Sequence, residues 1–290
     1  MNPRFIHGLS EIIEPFDALF VDLWGCVVDG VAAYPEAVEC LLELRRSGRP
    51  VVLLTNIPRP SAKIRDILAD MGVVETCYDA LVTSGDATVH ALKTRDDPWH
   101  AALGTRFFHI GTNSNDALLS EIEGKETDIE SADYILTTGF RNRDGATPAI
   151  YDETFTVALG RNLPMVCANP DRAAPHGDQI RYRAGSVAEA YEKRGGEVRY
   201  HGKPDHGIYR LGFDHLGDIA PDRVLMIGDN LATDIEGARN VGIASLWIAG
   251  GLHAEEVGLT ADAPLDPDEI RAALASAGGA PFAVAKSLRW

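Results

Sequence analysis

Ala18-Leu19-Phe20-Val21-Asp22-Leu23-Trp24-Gly25 reads as a short apolar strand that delivers a carboxylate at its end and then turns. A second stretch repeats the arrangement: Val224-Leu225-Met226-Ile227 runs into Gly228-Asp229-Asn230, followed by Thr233-Asp234. Unbroken apolar runs of this length suit parallel strands covered on both faces, where alternation of polar and apolar residues is lost. In an open α/β sheet the carboxyl ends of the strands are where ligands bind. Two acidic strand ends at that edge make a natural site for a hard divalent cation, and a carboxylate beside the cation can act as a nucleophile.

Outward from these stretches the chain alternates strand and helix. A helix is predicted over Pro35–Ser47, with proline in its first turn and Gly48 closing it. Val51–Leu54 is the next strand, ending in Thr55-Asn56; Ser61–Met71 is helical and stops at Gly72; Ala80–Val82 and a helix from Asp86 follow. From about Thr105 to Gly196 the pattern loosens. Strands are expected at Phe107–Ile110, Tyr134–Thr137 and Met165–Ala168, with helices near Asn115–Ile122 and Pro148–Leu159, the latter capped by Thr147. The first unit is then expected to resume with Val198–His201, Val224–Ile227, a helix Thr233–Val241 capped by Thr233, and Ala244–Ile248. Ala272–Ala283 reads as a C-terminal helix and tail. The fold class is α/β: a Rossmann-like, doubly wound parallel sheet core (residues 1–100 and 197–290) with an inserted α/β cap domain (residues 101–196).

Composition narrows the partners. Lys+Arg 27 against Asp+Glu 43 gives a net charge of −16, which disfavours nucleic acid and anionic membrane surfaces. A locally positive pocket for a small anion stays open. The four cysteines, Cys26, Cys40, Cys77 and Cys167, lack metal-type spacing and read as reduced core thiols. No run approaches the roughly 20 apolar residues of a membrane span, and the N-terminus lacks a signal-type apolar stretch. The expectation is a cytoplasmic protein.

The strand ends supply a candidate site. Thr55 and Asn56 could donate hydrogen bonds to phosphoryl oxygens, although a plain turn explains them as well. Lys203, in Gly202-Lys203-Pro204, could neutralise transferring phosphoryl charge, although a lysine in such a turn is commonly solvated. Asp229 and Asp234 span a strand-to-helix junction. Taken in order, these elements resemble the haloacid dehalogenase superfamily of aspartyl-phosphate-forming hydrolases. Asp22 matches the nucleophile motif, Thr55 the second motif, Lys203 the third, and Asp229 with Asp234 the fourth. The insert resembles a type 2 cap, and Cys167-Ala168-Asn169-Pro170-Asp171 resembles the Asn-Pro-Asp stretch of class IIA members, which include nucleotide and p-nitrophenyl phosphate phosphatases.

The resemblance implies a Mg²⁺-dependent phosphatase acting on a small phosphorylated metabolite. Asp22 and Lys203 would be catalytic. Asp22, the Trp24 backbone carbonyl and Asp229 would hold the metal, and Asp234 would orient Lys203 or a metal-bound water. Thr55, Asn56 and Lys203 would grip the phosphoryl group, and Asn169 and Asp171 would face the substrate, with Arg172, Arg181 and Arg183 around them. Caps of this type imply a homodimer. One residue departs from the pattern: Trp24 stands where phosphatases of the family carry a second Asp that protonates the leaving group. Loss of such an acid usually removes a factor of about 10²–10⁴. The open readings are a substrate with a good leaving group, a substitute acid at Asp29 or His201, or a weakly active or non-catalytic phosphate-binding protein. A dehalogenase would tolerate an aromatic at this position but would gain nothing from a metal-binding acid at Asp229.

Overall fold

A computed structural model describes residues 3–112, 116–141, 147–176, 179–259, 264–276 and 279–290. Its strands in chain order are β1 (Arg4–Phe5), β2 (Ala18–Val21), β3 (Val51–Thr55), β4 (Ala80–Thr83), β5 (Arg106–Ile110), β6 (Lys125–Glu126), β7 (Tyr134–Thr137), β8 (Met165–Cys167), β9 (Ala173–His176), β10 (Gln179–Tyr182), β11 (Val198–Tyr200), β12 (Val224–Gly228), β13 (Ala244–Ile248) and β14 (Ala283–Ala285). The apolar runs read from sequence become the middle of a seven-stranded sheet ordered β1-β14-β13-β12-β2-β3-β4. Every neighbouring pair in it is parallel.

Why these runs sit in the middle is visible from their burial. All four residues of β2 are fully buried, and successive side chains serve opposite faces: Leu19 and Val21 enter one core cluster, Ala18 and Phe20 the other. Helix Pro35–Arg46 connects β2 to β3, helix Ser61–Asp70 connects β3 to β4, and helix Ser84–Thr94 leads from β4 towards the insertion. Pro35 occupies the first turn of the first helix, and Arg45 and Arg46 lie in its last turn, where cations complement the helix dipole. The chain winds from β2 to β3 and β4 on one side. After the insertion it continues from β12, which pairs with β2 (Val224↔Ala18 to Ile227↔Val21), to β13 and β14 on the other. The strand order therefore reverses between β2 and β12, which is the ligand-binding position of a doubly wound sheet.

The insertion forms its own parallel sheet, ordered β11-β8-β7-β5-β6. Four expectations from sequence are corrected. Val198–Tyr200 does not rejoin the core: β11 pairs with β8 (Val198↔Met165 to Tyr200↔Cys167) as an edge of the cap sheet, so the return to the core falls after Tyr200 rather than at 196/197. The segment after the C-terminal helix Pro267–Ser276 is not a loose tail, because β14 lies between β13 and β1 in the core sheet. Thr147 makes no side-chain cap. At the Asp229–Asp234 junction the cap is Asn230, whose side chain accepts from the Ala232 N–H at 2.9 Å, rather than Thr233.

The outgoing and returning crossings between the two sheets are tied together. Asp97 accepts from the Trp99 and His100 backbone N–H groups and pairs with the His100 ring. The His100 Nε2 lies 3.2 Å from the His201 Nε2, and Trp99 Nε1 donates to Glu197 at 2.7 Å. The four cysteines are buried and unlinked. Among the described residues no helix is long and apolar enough to cross a membrane.

Candidate active site at the strand-order reversal

Asp22 leaves β2 directly at the reversal, its backbone N–H donating to Ile227 O of β12 at 2.8 Å. The turn beyond it needs Gly25 at φ 81°, a conformation that L side chains rarely adopt. A Cβ on Gly25 would lie 1.9 Å from Asp229 Oδ2, so the glycine allows the loop after Asp22 and the Asp229 strand end to meet. Asp229 is held in turn: its Oδ2 accepts from Leu252 N at 2.7 Å and its carbonyl from Trp247 Nε1 at 2.9 Å.

Lys203 sits between the acids with only 1% of its surface exposed. Its Nζ donates to Asp22 Oδ1 at 2.5 Å and to Leu54 O at 2.9 Å, and pairs with Asp234 Oδ1 at 2.6 Å. Asp234 is fixed from behind, its Oδ2 accepting from Asn230 N at 3.0 Å. A lysine this deep is stable only when paired; the solvated-turn explanation for Lys203 is excluded. Thr55, at the end of β3, is buried and lines the same cavity.

Three buried carboxylates, Asp22, Asp229 and Asp234, face one ammonium. Burial pushes the Asp22 carboxyl up to about 7 although Lys203 pulls the other way, and burial with the Asp22 charge pushes Asp229 well up. The two acids keep Lys203 well above its ordinary value against the cost of burial. The excess negative charge fits a bound divalent cation. Oxygens of Asp22 and Asp229 and the Cys26 sulfur all lie within 4.8 Å of one another, a donor set able to converge on one ion.

The cavity above has a volume of about 300 Å³, and Asp22, Trp24, Thr55, Asn56, Asn169, Asp171, Lys203, Asp229 and Asp234 all line it. The structure thus brings these sequence-predicted residues to one cavity, but it places the Asn56 amide in other bonds. The Asn56 Nδ2 hydrogens go to Asp171 Oδ1 at 2.9 Å and Lys203 O at 3.0 Å, while its Oδ1 accepts from Lys203 N at 2.8 Å. With both amide hydrogens taken, Asn56 is a strut between core and cap rather than a phosphoryl donor. Gly202 makes room for it: φ is 114°, and a Cβ there would lie 2.5 Å from Asn56 Oδ1. Asn169 Oδ1 accepts from Asp171 N at 3.0 Å and so shapes the Asn-Pro-Asp turn.

The roof comes from the cap. Arg181 and Arg183 line the cavity, whereas Arg172 turns outward to pair with Glu189 at 3.2 Å. Arg59, Thr138, Phe140 and Tyr182 also line it and were missed from sequence. A signal for Tyr182 existed, because Gly177-Asp178 between two short runs is a two-residue hairpin signature, and β9 and β10 do pair antiparallel. Neither substitute acid reaches the site. Asp29 lies outside the cavity lining, and its carboxylate accepts from Val31 N at 2.7 Å and Ala32 N at 2.8 Å. Those bonds lower its pKa and keep it charged. His201 is packed against His100, and burial pushes it down to about 3.

A doubly wound core whose central strand ends in Asp22, with Lys203, Asp229 and Asp234 around it and a cap above, is an arrangement able to support hydrolysis with a carboxylate as nucleophile. Residues 19–125 match the family model of haloacid dehalogenase-like hydrolases, and residues 200–277 that of HAD-hydrolase-like proteins. A crystal structure of a haloacid dehalogenase-like hydrolase from Brucella suis is 30% identical, covering 98% of this chain and all of that one, with a TM-score of 0.84. The D-glycerol 3-phosphate phosphatase of Mycobacterium tuberculosis is 27% identical over 257 residues, 85% of this chain. This chain spans 66% of that enzyme's length. The ribonucleotide monophosphatase NagD of Escherichia coli is 25% identical over 236 residues, 79% of this chain and 88% of NagD. The chain belongs to the haloacid dehalogenase-like hydrolases, among the capped class IIA enzymes.

Proposed function

We propose that the protein is a Mg²⁺-dependent phosphoric monoester hydrolase that acts on a small phosphorylated metabolite through an aspartyl-phosphate at Asp22. The observation that carries this reading is the contact of Asp22 with the buried Lys203 ammonium at 2.5 Å, beside Asp229, at the floor of the cavity under the cap. Asp22 Oδ attacks phosphorus and takes the phosphoryl group, and water later returns Asp22 to the carboxylate. Lys203 offsets charge on the phosphoryl oxygens, Thr55 donates a hydroxyl, and Asp234 holds Lys203 in place. Asp22, Asp229 and the Trp24 carbonyl would hold Mg²⁺, which when bound offsets the charge of the carboxylates and the phosphate. The Asp229 strand end favours this reading over dehalogenation, which needs no metal-binding acid.

The cavity of about 300 Å³ lies at the lower end of small-molecule sites and suits a compact ester. The activities for which the mycobacterial and Escherichia coli relatives are named, on glycerol 3-phosphate and ribonucleotide monophosphates, support the same class. On the family resemblance we also read the chain as cytoplasmic and as a homodimer paired through the cap. A panel of phosphate esters, assayed with Mg²⁺ and with EDTA, tests the reading. Turnover of at least one ester only with Mg²⁺ is expected; haloacid turnover, or full phosphatase rates in EDTA, would remove it.

A further inference from the structure

We propose that Asp171, delivered by the cap, is the catalytic acid and base that the Trp24 position lacks. The proposal rests on the phosphatase reading above. Among the described residues four carboxylates line the cavity, and three have other work: Asp22 is the nucleophile, Asp229 faces it at the cation site, and Asp234 is paired with Lys203. Asp171 is the fourth. Among the described residues its carboxylate has one hydrogen-bond partner, Asn56, at 2.9 Å to Oδ1.

The placement suits the task. In an in-line displacement the leaving oxygen lies on the far side of phosphorus from the attacking group. Asp22 attacks from the floor, so the leaving oxygen points at the roof, and Asp171 lines the cavity from the cap. Its position is set with respect to the phosphoryl grip. The same Asn56 amide that holds Asp171 also bonds the Lys203 backbone at N and O, and the Asp171 carbonyl accepts from Gly185 N at 3.0 Å. Burial raises the carboxyl to about 6, so it holds a proton for part of the time near neutral pH, as a general acid must. The charges facing it are Lys203 and Arg183, which favour ionisation, and Asp234, which opposes it; the Asp171 charge is felt at Asp22 in return.

The steps balance. As the Asp22 Oδ–P bond forms, the P–O ester bond breaks, and the departing oxygen takes the Asp171 proton and leaves as the alcohol. Water then attacks phosphorus, giving a proton to the Asp171 carboxylate, and the Asp22–P bond breaks to release phosphate.

The test compares kcat/KM for p-nitrophenyl phosphate and glycerol phosphate in the wild type and Asp171→Asn, with Mg²⁺, across pH 5–9. This constant reports only the steps up to release of the alcohol. Glycerol phosphate should lose about 10²–10⁴-fold, and p-nitrophenyl phosphate, whose leaving group needs no proton, less than about tenfold. The wild-type alkyl profile should fall as pH rises through the Asp171 pKa, and that fall should vanish in the variant. Any unfolded fraction lowers both substrates equally, so the ratio is insensitive to it, and Asp171→Ala should give the same ratio. An equal loss on both esters, or an unchanged ratio, would overturn the proposal while leaving the phosphatase reading intact. A wild type that hydrolyses neither ester would overturn that reading itself.

Discussion

The floor and the roof of the cavity are built on different principles. In the floor, Asp22, Thr55, Asp229 and Asp234 come from core strand ends and the turns just beyond them, Lys203 comes from the segment that returns from the cap after β11, and all five side chains are buried. Sheet register sets its geometry: the Val21↔Ile227 pair aligns the two acidic strand ends, and Lys203 links Asp22 to Asp234. The roof comes from a hairpin and loops of the cap, and Tyr182 there is 56% exposed. In a floor with so many mutual bonds, one substitution disturbs several contacts at once. A partly exposed roof can vary and retune which ester is accepted, a division expected where one fold serves many substrates.

Breaking the floor should have the largest effect. Asp22→Asn removes the proposed nucleophile while keeping the shape, and turnover should fall by at least ~10⁴-fold, with the melting temperature preserved. Near-wild-type activity in folded Asp22→Asn would dismiss the covalent role.

Next in size is the cation site. Asp229→Ala should raise the Mg²⁺ concentration needed for half-maximal activity by ~10²-fold or more. The apo protein also supplies a pH readout. Because the folded Asp22 pKa is raised to about 7, ionising it opposes folding, so metal-free stability from this group is highest below its unfolded value near 4 and declines towards pH 7. Mg²⁺ competes with that proton, and thermal protection by Mg²⁺ should therefore grow as pH rises from 5 to 8. Flat protection across that range would count against Asp22 as a ligand.

The seam between floor and roof should give a middling effect. Asn56→Ala leaves the Lys203 N–H and the Asp171 carboxylate without their shared partner, at a cost of about 1–3 kcal/mol. We expect lower thermal stability together with a loss in kcat/KM larger for alkyl than for aryl phosphates. Unchanged stability would mean that the strut is not needed.

The roof alone should give the smallest change. Arg181→Ala should raise KM for an ester carrying a second anionic group by about tenfold, the equivalent of ~1.4 kcal/mol, with kcat nearly constant. A fall in kcat with unchanged KM would place Arg181 with the floor.

The floor was legible in the sequence because its residues are the endings of local patterns. An apolar run predicts a buried strand, a glycine predicts the turn, and the acid or hydroxyl between them falls at the ligand-binding edge. The same local reasoning failed wherever a residue's role is set by something distant. Val198–Tyr200 looks like a core strand by composition, yet it pairs with β8 in the cap, because β propensity does not specify the partner. Asn56 looks like a phosphate donor beside Thr55 until the residue that takes its amide hydrogen, 115 positions away, is brought to it.

What the sequence by itself determined was therefore the α/β class, the central strands, and the choice of Asp22, Thr55, Lys203, Asp229 and Asp234 as site candidates, all encoded in short runs of residue type. Tertiary structure alone decided that β14 sits within the core sheet and that Asp29 and His201 do not reach the cavity. It also decided that Asp171 faces it under the hold of Asn56. Side-chain chemistry is a local property, but the partner that satisfies a buried polar group is chosen by packing between segments far apart in the chain.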